Sequence, residues 1–226
     1  MKVVAFIPIK LNNQRTPGKN IKLFYDGTPL MHFVQRSLLA LKTESEIDDI
    51  YIFCSDPKIK DYILDGVKFL ERPKYLDSPE TKGTDIYKEF VNMVDADIYV
   101  LAHATSPFIT PQHILECIKE VKSKNYDSAF CGQKLQNFLW QNNKPMNFIL
   151  SDPPRTQDMK PIYVEQSTPY VFTKETFETV EARTGYNPYI CEVSDIESID
   201  IDYPEDFELA NAVYRNIINK SEENYV

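Results

Sequence analysis

Four cations, Lys10, Arg15, Lys19 and Lys22, follow directly on the apolar run Val3-Val4-Ala5-Phe6-Ile7. Pro17-Gly18 stands among them, in a chain with only six glycines, which marks a tight backbone path. A loop whose N–H groups turn inward, with Lys10, Arg15 and Lys19 around it, can hold a polyphosphate. It is neither a P-loop nor a GxGxxG turn, so a solvated loop whose cations balance charge is the alternative. A second constellation is "SIDIDYPED", residues 198 to 206. In a strand Asp200 and Asp202 point to one face and can share a hard cation such as Mg²⁺. Equally, Asp202, Glu205 and Asp206 can open the next helix, with Pro204 in its first turn. A third is "LAHATSPF", where Thr105 and Ser106 offer hydroxyl donors and His103 a ring at the mouth, unless the hydroxyls only shape a turn. Arg72, between Glu71 and Pro73, is a further anion ligand or an ordinary salt-bridge partner. In "PPRTQD", Arg155 and Gln157 can grip a carboxylate or phosphate by a fork and an amide, or can simply belong to a surface loop.

These residues need a scaffold that brings them together. Strand-like runs at Val3–Ile9, Asp49–Cys54, Val67–Leu70 and Ile98–Ala102 alternate with helical periodicity at about 29–42, 57–64, 84–94 and 111–123. That alternation predicts an α/β fold, a mostly parallel sheet with helices on both faces, and ligands at the C-terminal strand ends. From about 133 to 166 the pattern breaks into a segment rich in amides, aromatics and proline that includes Trp140, expected to be an inserted arm. Alternation resumes with a strand at Thr168–Phe172, a helix near 174–182, a strand through Ser198–Ile201 and a last helix from Pro204 to about Asn219. Residues 1–220 are thus expected to form one domain, with 221–226 a frayed tail.

Composition excludes several classes. At 226 residues with 42% hydrophobic and 12% aromatic content, the chain can bury one sizeable core. A net charge of −9 opposes a generic nucleic-acid binder. No stretch has the length of a membrane span and the N-terminus lacks signal-peptide character, so a cytoplasmic protein is expected. Cys54, Cys117, Cys131 and Cys191 have no metal-knuckle or redox-pair spacing and are read as buried thiols.

Taken in order, "IP", "PGKNI", "CSD", "ERPKYL", "TSPF", "RTQ" and "SIDIDYPEDFELA" resemble the acylneuraminate cytidylyltransferase family of CMP-sugar synthetases, over nearly the whole chain. The resemblance implies a Rossmann-like nucleotide-diphosphosugar transferase fold and a homodimer whose projecting arms help cover the partner's site. It also implies CTP bound with Mg²⁺, Mn²⁺ being a substitute, and a product used for surface polysaccharide. It assigns the nucleotide to Lys10, Asn12, Asn13, Lys19, Asn20, Arg72 and Ser78 and the metal to Asp200 and Asp202. On that reading Lys10, Lys19 and Asp202 are the expected catalytic residues. His103, Thr105, Ser106, Arg155, Gln157 and Gln166 are the acceptor-side candidates. Three departures stand out. Lys10 replaces an arginine, His103 replaces a sugar-contacting glutamine, and Val164-Glu165-Gln166-Ser167-Thr168 lacks the arginine that reads the acceptor's carboxylate. The expected reaction is CMP transfer from CTP to an acidic sugar. A phosphonate or phosphorylated acceptor, a metal-dependent glycosyltransferase and an inactive nucleotide-binding protein are the alternatives.

Overall fold

A computed structural model describes residues 1–11 and 16–219. Its centre is a sheet of seven strands: β1 (Val3–Ile9), β2 (Asp49–Cys54), β3 (Lys68–Glu71), β4 (Ile98–Leu101), β5 (Ser128–Leu135), β8 (Ile162–Thr173) and β9 (Pro188–Val193). A separate two-residue ribbon joins β6 (Trp140–Gln141) to β7 (Lys144–Pro145). The order across the sheet is β3-β2-β1-β4-β8-β5-β9, and β8 alone runs antiparallel to its neighbours. The expectation of a mostly parallel sheet is met.

The packing follows from β1. A strand buried on both faces reads as continuous apolar sequence. Val3, Ala5, Ile7 and Ile9 enter one core with the helices α1 (Leu30–Thr43) and α3 (Pro111–Lys122), while Val4 and Phe6 enter a second on the opposite face with α2 (Gly83–Met93). Helical spacing supplies the complementary stripes: Met31, Val34, Leu38 and Leu41 on α1, and Ile86, Phe90 and Val91 on α2. Phe6 and Phe90 stack with centroids 4.1 Å apart. The helix α4 (Lys174–Val180) follows β8, and α5 (Pro204–Val213) leads into a π turn, Tyr214–Ile218. A third cluster, Phe24, Leu30, Phe33, Phe108, Ile201, Phe207, Ala210 and Tyr214, packs α5 against the opening loop.

Several boundaries differ from expectation. The stretch 57–64 forms a 3₁₀ helix, Pro57–Tyr62, because the Asp56 carboxylate caps Lys58 N–H at its start. β5 runs to Leu135 and β8 begins at Ile162, so the irregular arm spans only 136–161. Ser198–Ile201 is not a strand: the last ladder is β9, and Ile201 bonds by its N–H to the Thr105 carbonyl at 2.9 Å. The tail expected at 221–226 lies outside the described residues.

Candidate active site

After β1 the chain turns at Gly18, whose φ of 68° is the left-handed conformation that favours glycine. That turn drops Lys19 into the interior, 8% exposed. Its Nζ donates to the Ile201 carbonyl at 2.6 Å and to Asp202 Oδ1 at 3.1 Å. Thr16 Oγ1 donates to the Asp202 carbonyl at 2.9 Å, so the basic loop and the acidic segment are tied at two points. Asn20 Nδ2 holds the Lys10 carbonyl at 3.0 Å, and Lys10 Nζ reaches the Ser78 carbonyl at 3.4 Å. Asn12, Asn13 and Arg15 lie outside the described residues.

Arg72, at the end of β3, is 1% exposed. Its Nη2 donates to Asp77 Oδ1 at 2.6 Å, and Ser55 Oγ donates to Asp77 Oδ2 at 2.6 Å. Among the described residues, Nε and Nη1 of Arg72 have no hydrogen-bond partner. Buried N–H groups of a guanidinium left so are costly unless a ligand or water meets them. Burial pushes the Asp77 carboxyl up, but the hydrogen bonds from Ser55 and Arg72 and the charges of Arg72 and Lys10 outweigh it and hold the carboxyl below its usual range. Ser55 belongs to the "CSD" motif, whereas Asp77 is a partner that sequence reasoning missed; the carboxylate five residues after Arg72 in "RPKYLD" is the signal that could have found it. The Ser78 hydroxyl bonds to Glu80.

On the other side of β1, His103 follows β4. Its Nδ1 contacts the Ser167 carbonyl, its Nε2 lies 3.2 Å from the Tyr87 hydroxyl, and its N–H donates to Thr168 Oγ1 at 2.8 Å. Since a carbonyl only accepts, Nδ1 carries the proton and Nε2 accepts from Tyr87. Burial depresses the His103 pKa; Arg183 and Lys19 add to this, while the Ser167 carbonyl and Asp200 oppose it. The folded protein therefore resists a proton that the unfolded chain takes up, and this residue's stability contribution declines as pH falls through 6.5. Nitrogen-15 NMR should show the Nδ1-protonated neutral ring persisting below pH 6.5 in the folded protein; a midpoint at or above that value would contradict the geometry. Ser106 Oγ lies 2.7 Å from Ser167 Oγ, which donates to Asp200 Oδ1 at 2.9 Å. Thr105 enters through its carbonyl, held by Ile201. Gln166 is buried and donates to the Val164 carbonyl at 3.1 Å. Arg155 and Gln157 stand on the exposed arm, where Arg155 Nε pairs with Asp158 Oδ2 at 2.7 Å.

Burying Ile201 completely turns its neighbours away from the core: Asp200 is exposed and Asp202 half-buried. The two acids therefore stand on a loop rather than on a strand face, Asp202 held by Lys19 and Asp200 by Ser167. Asp206 serves the helix, its Oδ2 accepting the N–H groups of Asp202 at 3.0 Å and Tyr203 at 2.8 Å. The oxygen donors of Asp200 and Asp202 suit a hard cation such as Mg²⁺, which takes one or two carboxylates and completes its shell with phosphate oxygens and water. The second oxygen of Asp200 has no partner among the described residues. A cavity of about 850 Å³ at the opposite, N-terminal edge of the sheet, lined by Lys2, Asp97, Asp127 and Lys174, contains none of these groups.

A family model described as cytidylyltransferase matches residues 4–223. The chain is 26% identical over 218 residues to N-acylneuraminate cytidylyltransferase A of Danio rerio, covering 92% of this chain and 50% of that protein. It is 22% identical over 217 residues to the N-acylneuraminate cytidylyltransferase of Streptococcus agalactiae, covering 92% and 52%. The chain thus spans about half the length of these curated relatives. Among solved structures, a CMP:2-keto-3-deoxy-manno-octonic acid synthetase complexed with CTP shares the fold with a TM-score of 0.70 at 17% identity, covering 95% of this chain and 99% of that one.

Proposed function

The chain belongs to the cytidylyltransferase family, and we propose on that footing that it transfers CMP from CTP to an acidic sugar, a sialic acid-like nonulosonic acid or a relative, with release of pyrophosphate. One observation carries the reading. Lys19 and Arg72 are buried cations beyond the C-terminal ends of β1 and β3, two nitrogens of Arg72 are unmet among the described residues, and Lys19 is joined directly to the acidic segment. Cations on one side of a crevice and carboxylates on the other are what nucleotidyl transfer asks of a protein, because positioning and charge neutralisation supply most of its catalysis.

An acceptor oxygen attacks the α-phosphorus in line, the bond from that phosphorus to the β-bridging oxygen breaks, and pyrophosphate carries away the electron pair. Lys10 and Lys19 neutralise the β- and γ-phosphates as negative charge builds on the leaving group. Arg72 holds the nucleotide through its unmet N–H groups, with Asp77 and Ser55 fixing the guanidinium plane; Asn12, Asn13, Asn20 and Ser78 complete the nucleotide set. Asp200 and Asp202 would hold Mg²⁺, or Mn²⁺ in its place, which when bound supplies positive charge at the α-phosphate. His103, Thr105, Ser106 and Gln166 line the acceptor side.

The test is pyrophosphate release with Mg²⁺ and each of CTP, UTP, ATP and GTP against a panel of sugar acids, phosphonates and phosphorylated small molecules. Turnover with CTP and a sugar acid alone is expected. Stabilisation by CTP without turnover of any acceptor would favour an inactive nucleotide-binding protein, and no stabilisation would sink the nucleotide reading.

A homodimer joined through the arm goes with this proposal. Phe138, Trp140, Met146, Ile149 and Leu150 expose apolar surface there, more than an isolated arm has reason to carry. Sedimentation velocity should give a dimer for the native chain and a monomer for Trp140→Glu/Leu150→Glu; a monomeric native chain would remove the proposal. No helix among the described residues is long and apolar enough to cross a membrane, and a cytoplasmic setting fits a CTP-using enzyme.

A further inference from the structure

We propose that Arg183 reads the carboxylate of the acceptor, an assignment that rests on the cytidylyl-transfer reading and narrows it to acceptors that carry an acid group. The strand order divides the site. Lys10, Lys19 and Arg72 belong to the β1 and β3 ends, with Asp202 held by Lys19, whereas His103, Tyr170 and Ser167 belong to the β4 and β8 side, with Asp200 held by Ser167. The first half gathers the cations a triphosphate requires. Arg183, from the turn after α4, meets the surroundings of His103 on the second half through Tyr87 and Tyr170.

Its guanidinium lies over the Tyr170 ring, 3.8 Å from the centroid. Nη2 donates to Glu165 Oε1 at 2.9 Å, and Nη1 lies 3.4 Å from the Tyr87 hydroxyl. Tyr170 donates its own hydroxyl to the same Glu165 oxygen at 2.6 Å, and Tyr87 links onward to His103 Nε2. The plane of the fork is therefore fixed by an aromatic face, a carboxylate and a phenol, while 34% of the side chain remains exposed. Of five guanidinium N–H donors, two are used by these contacts. Pre-orienting a fork in this way lowers the entropy lost when a planar, two-oxygen anion docks against it. Arg155 lacks such a setting: it is 74% exposed and pairs with Asp158, three residues along its own turn.

The chemistry favours paired anionic oxygens over a neutral polyol edge, since charge-assisted bidentate bonds are the strong ones for a guanidinium, and on an acid sugar those oxygens are the carboxylate. Arg183→Gln is expected to raise the acceptor KM about 10- to 100-fold, the size of a lost charge-assisted hydrogen bond, with the CTP KM changed less than about 2-fold. The decisive readout is selectivity. Wild-type protein should prefer an acid acceptor over its carboxamide, and Arg183→Gln should lose that preference. A retained preference, or an unchanged acceptor KM, in an active Arg183→Gln protein overturns the assignment and leaves the transferase reading intact. Wild-type protein that turns over no acid acceptor with CTP overturns both. If Arg183→Gln melts early, Arg183→Lys carries the test, because it keeps a cation over Tyr170 but not the fork. A reduced acid-to-amide preference then supports the assignment, and wild-type selectivity overturns it.

Discussion

Replacing Lys19 by methionine is expected to lower kcat/KM for CTP about 100- to 1000-fold, the range measured when one preorganised donor to a developing negative charge is removed. Lys19 is 8% exposed and its ammonium is already oriented by the Ile201 carbonyl and Asp202 Oδ1, so little reorganisation is needed when the pyrophosphate leaves. Methionine fills a similar volume and keeps the packing, which separates lost charge from a lost core. Lys19→Arg keeps the charge but must fit a broad fork into a slot shaped for an ammonium, and only partial recovery is expected. A purely structural tie between the loop and residues 201–202 makes a different forecast: thermal stability would fall in step with activity, and Asp202→Asn would rescue it. Steady-state kinetics with thermal melts on these variants separates the two cases. A loss of less than about 10-fold in a stably folded Lys19→Met protein would contradict the catalytic role.

Arg72→Met should cost both stability and nucleotide affinity, and the two can be pulled apart. Removing one member of a buried ion pair typically costs about 3–5 kcal/mol because its partner is left charged and unpaired. Asp77 keeps 29% of its side-chain surface and its bond from Ser55, so the lower end, about 3 kcal/mol, is expected here. The penalty also depends on pH. The Asp77 carboxyl is held below its ordinary value in the folded wild-type protein, so its contribution is present above the unfolded pKa and lost as pH falls through the folded one. In Arg72→Met that acid-side loss should flatten. The double variant Arg72→Met/Asp77→Asn should regain most of the stability but not the CTP affinity, because the unmet Nε and Nη1 donors are gone in both. CTP binding by the double variant at wild-type strength would show that Arg72 serves the fold alone.

The parts of this fold that could be read from sequence are those whose burial repeats locally. β1, β2 and β4 are near-continuous apolar runs, and α1, α2 and α3 carry their buried residues at helical spacing. β5 and β9 escaped that reading for the opposite reason. "SAFCGQKL" mixes polar and small residues with apolar ones, and "PYICEV" is an edge strand that leaves alternate residues exposed. "SIDI" misled in the other direction. Its alternation is that of a strand, yet Ile201 is buried by Phe24, Phe108, Phe207 and Tyr214, which come from elsewhere in the chain. The cysteines make the same point. Cys117, Cys131 and Cys191 look scattered, but α3 packs over β5 and β9, where Cys131 and Cys191 face one another across the parallel ladder, and the three sulfurs lie within 4.8 Å. They are buried among the core residues, as expected for free thiols.

By itself, the sequence determined the chemical vocabulary of the site: a basic loop after the first strand, an arginine before a proline, a hydroxyl-rich turn and a pair of acids. Residue type and short-range spacing suffice for that, since charge, hydrogen-bonding capacity and local backbone preference are properties of a few neighbouring residues. Only the tertiary structure decided which of these groups meet. Lys19 finds Asp202 near the other end of the chain, Arg72 is locked by Asp77 and Ser55, and Arg183 is brought over Tyr170 towards His103. Such pairings depend on strand order and on which face of the sheet each helix covers. Those are settled by burying apolar surface over the whole chain, and no local pattern of charges records the result.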